Sequence, residues 1–204
     1  MDAADWDERY ASSDLVWSST PNQFVVEYLS DLPVGAMLDL AGGEGRNALW
    51  FADRGWRAEV ADFSSVALER FSAIAERENL TDRCAATRVD ATSPTAYAFA
   101  PFDLVVVAYL QIPAPDLAAA LRGAADALSD HGTFFGVWHA RENLNEGWGG
   151  PQNPAVLPSR DELRAAALDA GLEISALELR DRLVVTDSGE KRAVDVVTLA
   201  RRIS

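Results

Sequence analysis

The chain holds one cysteine (Cys84), two histidines, and a single lysine, Lys191, among its eighteen basic residues. One cysteine excludes an internal disulfide and carries no sign of an oxidising compartment. Two histidines and one cysteine offer no metal-ligand spacing, so no metal is expected. Basic charge as a whole is scarce. The formal net charge of −14 argues against nucleic acid as the partner, because duplex binding relies on basic side chains that neutralise phosphates. Long apolar runs are missing too. The longest, "LVVVAYL" at 104–110, is strand-sized, far short of the roughly 20 residues that span a bilayer. The opening "MDAADWDERY" is acidic and has no apolar centre, unlike a secretory signal. A soluble cytoplasmic protein without a membrane partner is the reading. Arginine in place of lysine is read as codon bias rather than function.

What is present is an ordinary globular composition: 204 residues, 49% hydrophobic and 25% charged. That length suits a single domain, 1–204, with a sizeable core. Short apolar runs alternate with helical patterns. The runs are "AMLDLA" (36–41), "AEVADF" (58–63), "AATRVDA" (85–91), "FDLVVVAYL" (102–110) and "TFFGVWHA" (133–140). Their near-continuous apolar character predicts strands covered on both faces, as in a parallel sheet. Between them, 45–54 runs into Gly55, and Ser64 or Ser65 can cap a helix bearing Leu68, Phe71 and Ile74. Pro115 suits a first helical turn ahead of Leu117, Leu121, Ala124 and Leu128. Ser159 and Glu162 have capping-box spacing, and Gly171 closes that helix. Two further strands, 172–185 and 193–202, flank "TDSGEKR", which reads as a hairpin. The fold class is α/β: a doubly wound, mostly parallel, Rossmann-like sheet of seven strands with a C-terminal antiparallel hairpin.

In such a sheet ligands bind beyond the carboxyl ends of the strands. There "AMLDLAGGEGRNALWFADRGW" (36–56) places Asp39 near the end of the first strand, then Gly42, Gly43 and Gly45 at the turn into a helix. Glycines at that turn permit positive φ and let a ligand lie against bare backbone. One candidate is a nicotinamide or flavin dinucleotide. Gly43 to Ala48 satisfies G-x-G-x-x-A, and Asp62 ends the second strand seventeen residues after Gly45. Charge opposes that reading, since Glu44 and Asp39 would repel a diphosphate at the helix N-terminus. A zwitterionic amino acid with an adjoining cation would instead be drawn to Asp39.

"LDLAGGEGRNALWFADRGW" resembles motif I of class I S-adenosylmethionine-dependent methyltransferases, in the tellurite-resistance and thiopurine-methyltransferase-like branch. That branch carries an LDLGCGxGRN-type run; here Ala41 stands for the first glycine and Gly42 for the cysteine. The resemblance covers residues 6 to 140 and implies S-adenosyl-L-methionine as cofactor. "VADFS" then puts Asp62 on the ribose hydroxyls, with Phe63 and Ser64 beside it, and "VDAT" puts Asp90 and Ala91 at the adenine. Arg46 is implied near the methionine carboxylate. The leading segment, 1–30, is implied to fold over the cofactor as a helical cap, with Tyr10 and Trp17 as contacts.

"FDLVVVAYLQIP" resembles the family's motif IV, whose end faces the sulfonium. Candidates on the acceptor side are therefore Tyr109 and His139 for catalysis, with Gln111 and Arg141 for substrate binding. His131, in "SDHGT", reads as an exposed turn residue. The stretch 141–158, rich in Gly, Pro and Asn and carrying Trp148, is expected to be a substrate-side lid. The function expected is methyl transfer to a small-molecule acceptor. A nucleotide-cofactor oxidoreductase and a non-catalytic S-adenosylmethionine-binding protein are the alternatives. Oligomeric state is not legible. Replacing Asp62 by Ala is expected to weaken ligand binding while leaving the ligand-free protein's melting point little changed.

Overall fold

A computed structural model describes residues 6–8, 10, 20–93, 95–187 and 189–203. Seven strands form one sheet: β1 (Ala36–Leu40), β2 (Arg57–Asp62), β3 (Cys84–Arg88), β4 (Phe102–Ala108), β5 (Leu128–His139), β6 (Leu172–Thr186) and β7 (Gly189–Arg202). Their order is β3-β2-β1-β4-β5-β7-β6. The first five run parallel, whereas β7 lies antiparallel between β5 and β6.

The helices are α1 (Gln23–Leu29), α2 (Arg46–Asp53), α3 (Ser65–Arg77), α4 (Ala114–Ala127), the short α5 (Asn143–Glu146) and α6 (Arg160–Asp169). They cover both faces of the sheet. Alternate residues of a strand point to opposite faces, so neighbours in β1 and β4 divide between two cores. Met37, Leu104 and Val106 pack with Phe24 of α1, Phe51 of α2 and Phe71 of α3. Leu38, Val105 and Val107 pack with Leu117 and Leu121 of α4 and Leu163 of α6. This two-sided burial is why the strands read as continuous apolar runs.

Three expectations shift. Leu128, expected as the last apolar position of a helix, instead opens β5, which starts five residues before the expected 133. The early part of β5 is irregular: His131 is exposed at φ +62°, and the β4–β5 register shifts between Phe102 and Leu104. The hairpin turn is also tighter than expected, since Thr186 already pairs with Gly189. The capping box at Ser159 and Glu162 forms as expected. Among the described residues, no helix is long and apolar enough to cross a membrane, and no cluster of His, Cys, Asp or Glu could hold a metal.

Candidate active site

The carboxyl ends of β1 and β2 and the amino ends of α2 and α3 form one half of the site. Between β1 and α2 the backbone turns through left-handed conformations at Ala41 (φ +56°), Gly43 (+57°) and Gly45 (+72°). Gly45 is demanded by packing as well as by φ. A Cβ there would stand 2.4 Å from the Phe71 ring and 2.8 Å from Val60. At Gly42 a Cβ would stand 2.8 Å from the Asp39 carboxyl carbon. The glycines therefore seat the loop on its own acid and on α3, leaving backbone rather than side chains at the strand ends.

Asp39 is fully buried. Its oxygens accept long hydrogen bonds from Asn47 Nδ2 at 3.4 Å and the Ala48 N–H at 3.3 Å. Burial raises its pKa to about 6, which marks a carboxylate whose charge is poorly compensated. Arg46, at the first position of α2, sits in the field of Tyr109, Asp39 and Tyr10, while its own burial lowers its pKa. Tyr10 is itself buried, so the part of the leading segment that is described does reach this end of the sheet. Trp17 lies outside the described residues, as do 1–5, 9 and the rest of 11–19.

Asp62 holds two backbone donors at once. Oδ2 accepts the Gly43 N–H at 2.9 Å, and Oδ1 accepts the Ser64 N–H at 2.9 Å. It thus fastens the glycine loop to the start of α3. Burial raises its pKa, against those hydrogen bonds. A carboxylate offers about four lone-pair sites, so capacity for a ligand's hydroxyls remains. Ser64 caps α3 through the Ala67 N–H at 3.2 Å and donates to Asp7 Oδ1 at 2.5 Å. Asp7 also accepts the Val66 N–H at 3.4 Å. The half-buried Phe63 accepts at its carbonyl from Arg88 Nε at 3.2 Å.

Two residues behave differently from their expected surroundings. Asp90 is exposed, and its Oδ1 turns back to accept from the Thr92 N–H (2.9 Å) and hydroxyl (2.7 Å). Ala91 packs against the core next to it. Glu44 is buried and paired with Arg70 at 2.8 Å. Its charge is therefore balanced, and the argument against a diphosphate rests on Asp39 and Asp62.

The other half of the site gathers at the ends of β4 and β5. Tyr109 follows β4 at φ +60°, a costly conformation for a bulky side chain. Its N–H bonds the Val137 carbonyl at 2.7 Å, and its hydroxyl donates to Asp195 Oδ2 at 2.8 Å. Burial, with the Asp195 charge next, pushes the phenol's pKa well up, so it stays protonated. His139, last residue of β5, pairs across the sheet with Asp195 of β7 and lies 4.8 Å from the Tyr109 ring. Its Nδ1 is 3.1 Å from Asp195 Oδ1. Arg182 of β6 adds Nε at 2.6 Å from Oδ2. Burial alone would raise the Asp195 pKa, but His139 and Arg182 hold it below the ordinary value.

Gln111 and Arg141 are braces. Gln111 accepts the His139 N–H at 2.9 Å and donates to the Val156 carbonyl at 2.8 Å. Arg141 donates to the Leu157 carbonyl at 3.1 Å and to Glu162 at 2.7 Å. Their polar ends are engaged by the protein itself. Asn143 does likewise, accepting the Val194 N–H at 2.7 Å and donating to the Gly149 carbonyl at 2.8 Å. The stretch 141–158 is thus fastened at several points, and Gly150 lies directly on the His139 ring. Trp148 is 47% exposed. Sequence reasoning missed Asp7, Arg182 and Asp195. For Asp195 there was a signal: an acid inside the apolar run "AVDVVTLA".

This sheet order, with its antiparallel penultimate strand, is the class I methyltransferase fold. Residues 37–132 match the family described as "Methyltransferase domain". A search of curated proteins returns no match. Among solved structures, one comes from work on converting a disulfide bond into a thioacetal group during echinomycin biosynthesis. It is 20% identical, with TM-score 0.77, covering 98% of this chain and 92% of that one. TehB from Haemophilus influenzae is 15% identical, with TM-score 0.72, covering 97% of this chain and 66% of that one. The glycopeptide N-methyltransferase MtfA, solved with S-adenosylmethionine, is 16% identical, with TM-score 0.68, covering 94% and 90%. At these identities the likenesses speak for the fold. The cradle fits S-adenosylmethionine on its own chemistry: Asp39 is a buried acid whose charge Arg46 and long hydrogen bonds compensate only in part, and Asp62 has lone pairs to spare for a diol.

Proposed function

We propose that this chain, acting as one catalytic domain, transfers the methyl group of S-adenosylmethionine to a small molecule held at the ends of β4 and β5. The observation that carries the proposal is that the two half-sites share one field. Arg46 of the glycine loop interacts with Asp39 on one side and with Tyr109 and Arg182 on the other. When bound, the cofactor supplies an electrophilic methyl group on a sulfonium. Asp39 faces its ammonium, Arg46 its carboxylate and Asp62 its ribose hydroxyls. Asp90 and Ala91 would border the adenine, and Tyr10 would contact the cofactor from the leading segment. The chain's contribution to rate is alignment and exclusion of water. Trp148 and the fastened 141–158 stretch wall the acceptor side. The "LDLAGGEGRN" run supports placement in the tellurite-resistance and thiopurine-methyltransferase-like branch.

Calorimetry on the purified protein tests the donor side. S-adenosylmethionine and S-adenosylhomocysteine should bind and NAD should not. Tight NAD binding with no response to S-adenosylhomocysteine overturns the reading in favour of an oxidoreductase. Incubation of a metabolite extract with labelled methyl donor tests turnover. Binding without any labelled product would instead mark a non-catalytic sensor.

A further inference from the structure

Three side chains, Tyr109, His139 and Arg182, come from three different strand regions and converge on the fully buried carboxylate of Asp195 on a fourth. Oδ2 of Asp195 is fully engaged, by Arg182 Nε at 2.6 Å and the Tyr109 hydroxyl at 2.8 Å. Oδ1 has no hydrogen-bond partner, and neither has His139 Nδ1. These two orphaned atoms are both sealed from solvent and lie 3.1 Å apart. Buried polar atoms are rarely left unpaired, and these two lie within reach of one another. A carboxylate held ionised can only accept, so the proton between them belongs to Nδ1. The remaining ring nitrogen, Nε2, is then bare. The His139 side chain is 16% exposed, whereas its Nδ1 is sealed.

We propose that Asp195 is a positioning residue that fixes His139 in the Nδ1–H tautomer, making Nε2 a general base for a protic methyl acceptor, a small-molecule hydroxyl or amine. This rests on the methyl-transfer reading above and adds the acceptor class to it. Tyr109 does not compete for the role of base, because its hydroxyl is spent as a donor to Asp195. In the step, the acceptor's O–H or N–H bond breaks and its proton passes to Nε2. The acceptor's lone pair forms the bond to the methyl carbon. The electron pair of the broken carbon–sulfur bond stays on sulfur, giving S-adenosylhomocysteine. Asp195 then neutralises the imidazolium until it loses its proton to solvent. A soft, already anionic chalcogen would need none of this apparatus.

The chain has only two histidines, so the tautomer can be read directly. Uniformly 15N-labelled protein, with His131→Gln to assign the signals, should show His139 as Nδ1–H at a pH where its ring is neutral. An Nε2–H tautomer in the unmodified protein overturns the proposal. Asp195→Asn should abolish the tautomer preference and lower kcat about a hundredfold, with the Kd for S-adenosylhomocysteine unchanged; Asp195→Glu should restore part of kcat. Unchanged kcat in Asp195→Asn overturns the proposal. Should that variant fail to fold, the tautomer and the labelled product decide without it. Products methylated on oxygen or nitrogen support the assignment, and products methylated only on sulfur, selenium or tellurium overturn it. Failure to bind S-adenosylhomocysteine at all would instead remove the proposed function and leave the tautomer result standing.

Discussion

Asp39 and Asp62 look alike in the sequence, each an acid ending a strand, yet they differ in what the protein gives them. Asp62 has two short backbone hydrogen bonds and Asp39 has two long ones. Burial raises Asp39 from its ordinary 3.8 to about 6. The folded state therefore holds a proton there that the unfolded chain releases. The associated stability is fully present below pH 4 and lost as pH rises to about 6, a change of about 3 kcal/mol at 1.4 kcal/mol per pH unit. Asp39→Asn should lose less stability than the parent between pH 4 and 6, read from urea titrations across that range. A ligand that brings a cation to Asp39 should release a fraction of a proton, most near pH 6. Calorimetry in buffers of different ionisation enthalpy measures it. Asp62→Ala should do more than weaken S-adenosylhomocysteine tenfold. It strands two buried N–H groups, so the ligand-free protein should also lose about 1–3 kcal/mol, seen as a lower Tm. That corrects the sequence expectation of an unaltered melting point. The role of Asp62 as a loop fastener was not legible, because its partner Gly43 is nineteen positions away.

At the scale of elements, the helices and strands were the most readable part. Period and caps act within a few residues, so Ser159 and Glu162 announced α6, and its capping box formed. Ser159→Ala should cost about 1 kcal/mol and lower Tm by about 2–4 °C, as thermal unfolding would show. Leu128 was misread because its spacing from Ala124 suits a helix, whereas pairing with Phe102 draws it into β5. The 141–158 stretch read as a substrate-side lid, and nothing local in the sequence shows that Gln111, Arg141 and Asn143 fasten it. Gln111→Ala removes the bridge from the His139 N–H to the Val156 carbonyl. Amide exchange through 154–158 should quicken in that variant while exchange in β1 and α2 stays as it was.

The molecule as a whole joins two surfaces of different provenance in the chain. The glycine loop and its acids fall inside residues 37–132, which match the methyltransferase domain, whereas His139, Arg182 and Asp195 lie beyond it. The glycine loop could be picked out as a candidate because its residues are contiguous. The second surface could not, because the pairing of His139 with Asp195 depends on β7 inserting between β5 and β6. S-adenosylhomocysteine at a hundred times its Kd should stabilise the fold by about 2.7 kcal/mol. That corresponds to a rise in Tm of roughly 5–11 °C, and NAD at the same concentration should leave Tm unchanged. The insertion of β7 also sets an order of assembly during synthesis. Until the last strand leaves the ribosome, β5 ends the parallel sheet with its backbone unpaired, and such an edge is open to pairing with other chains. A nascent chain could complete the donor cradle early, yet it would gain its acceptor chemistry and lose its adhesive edge in the same final event.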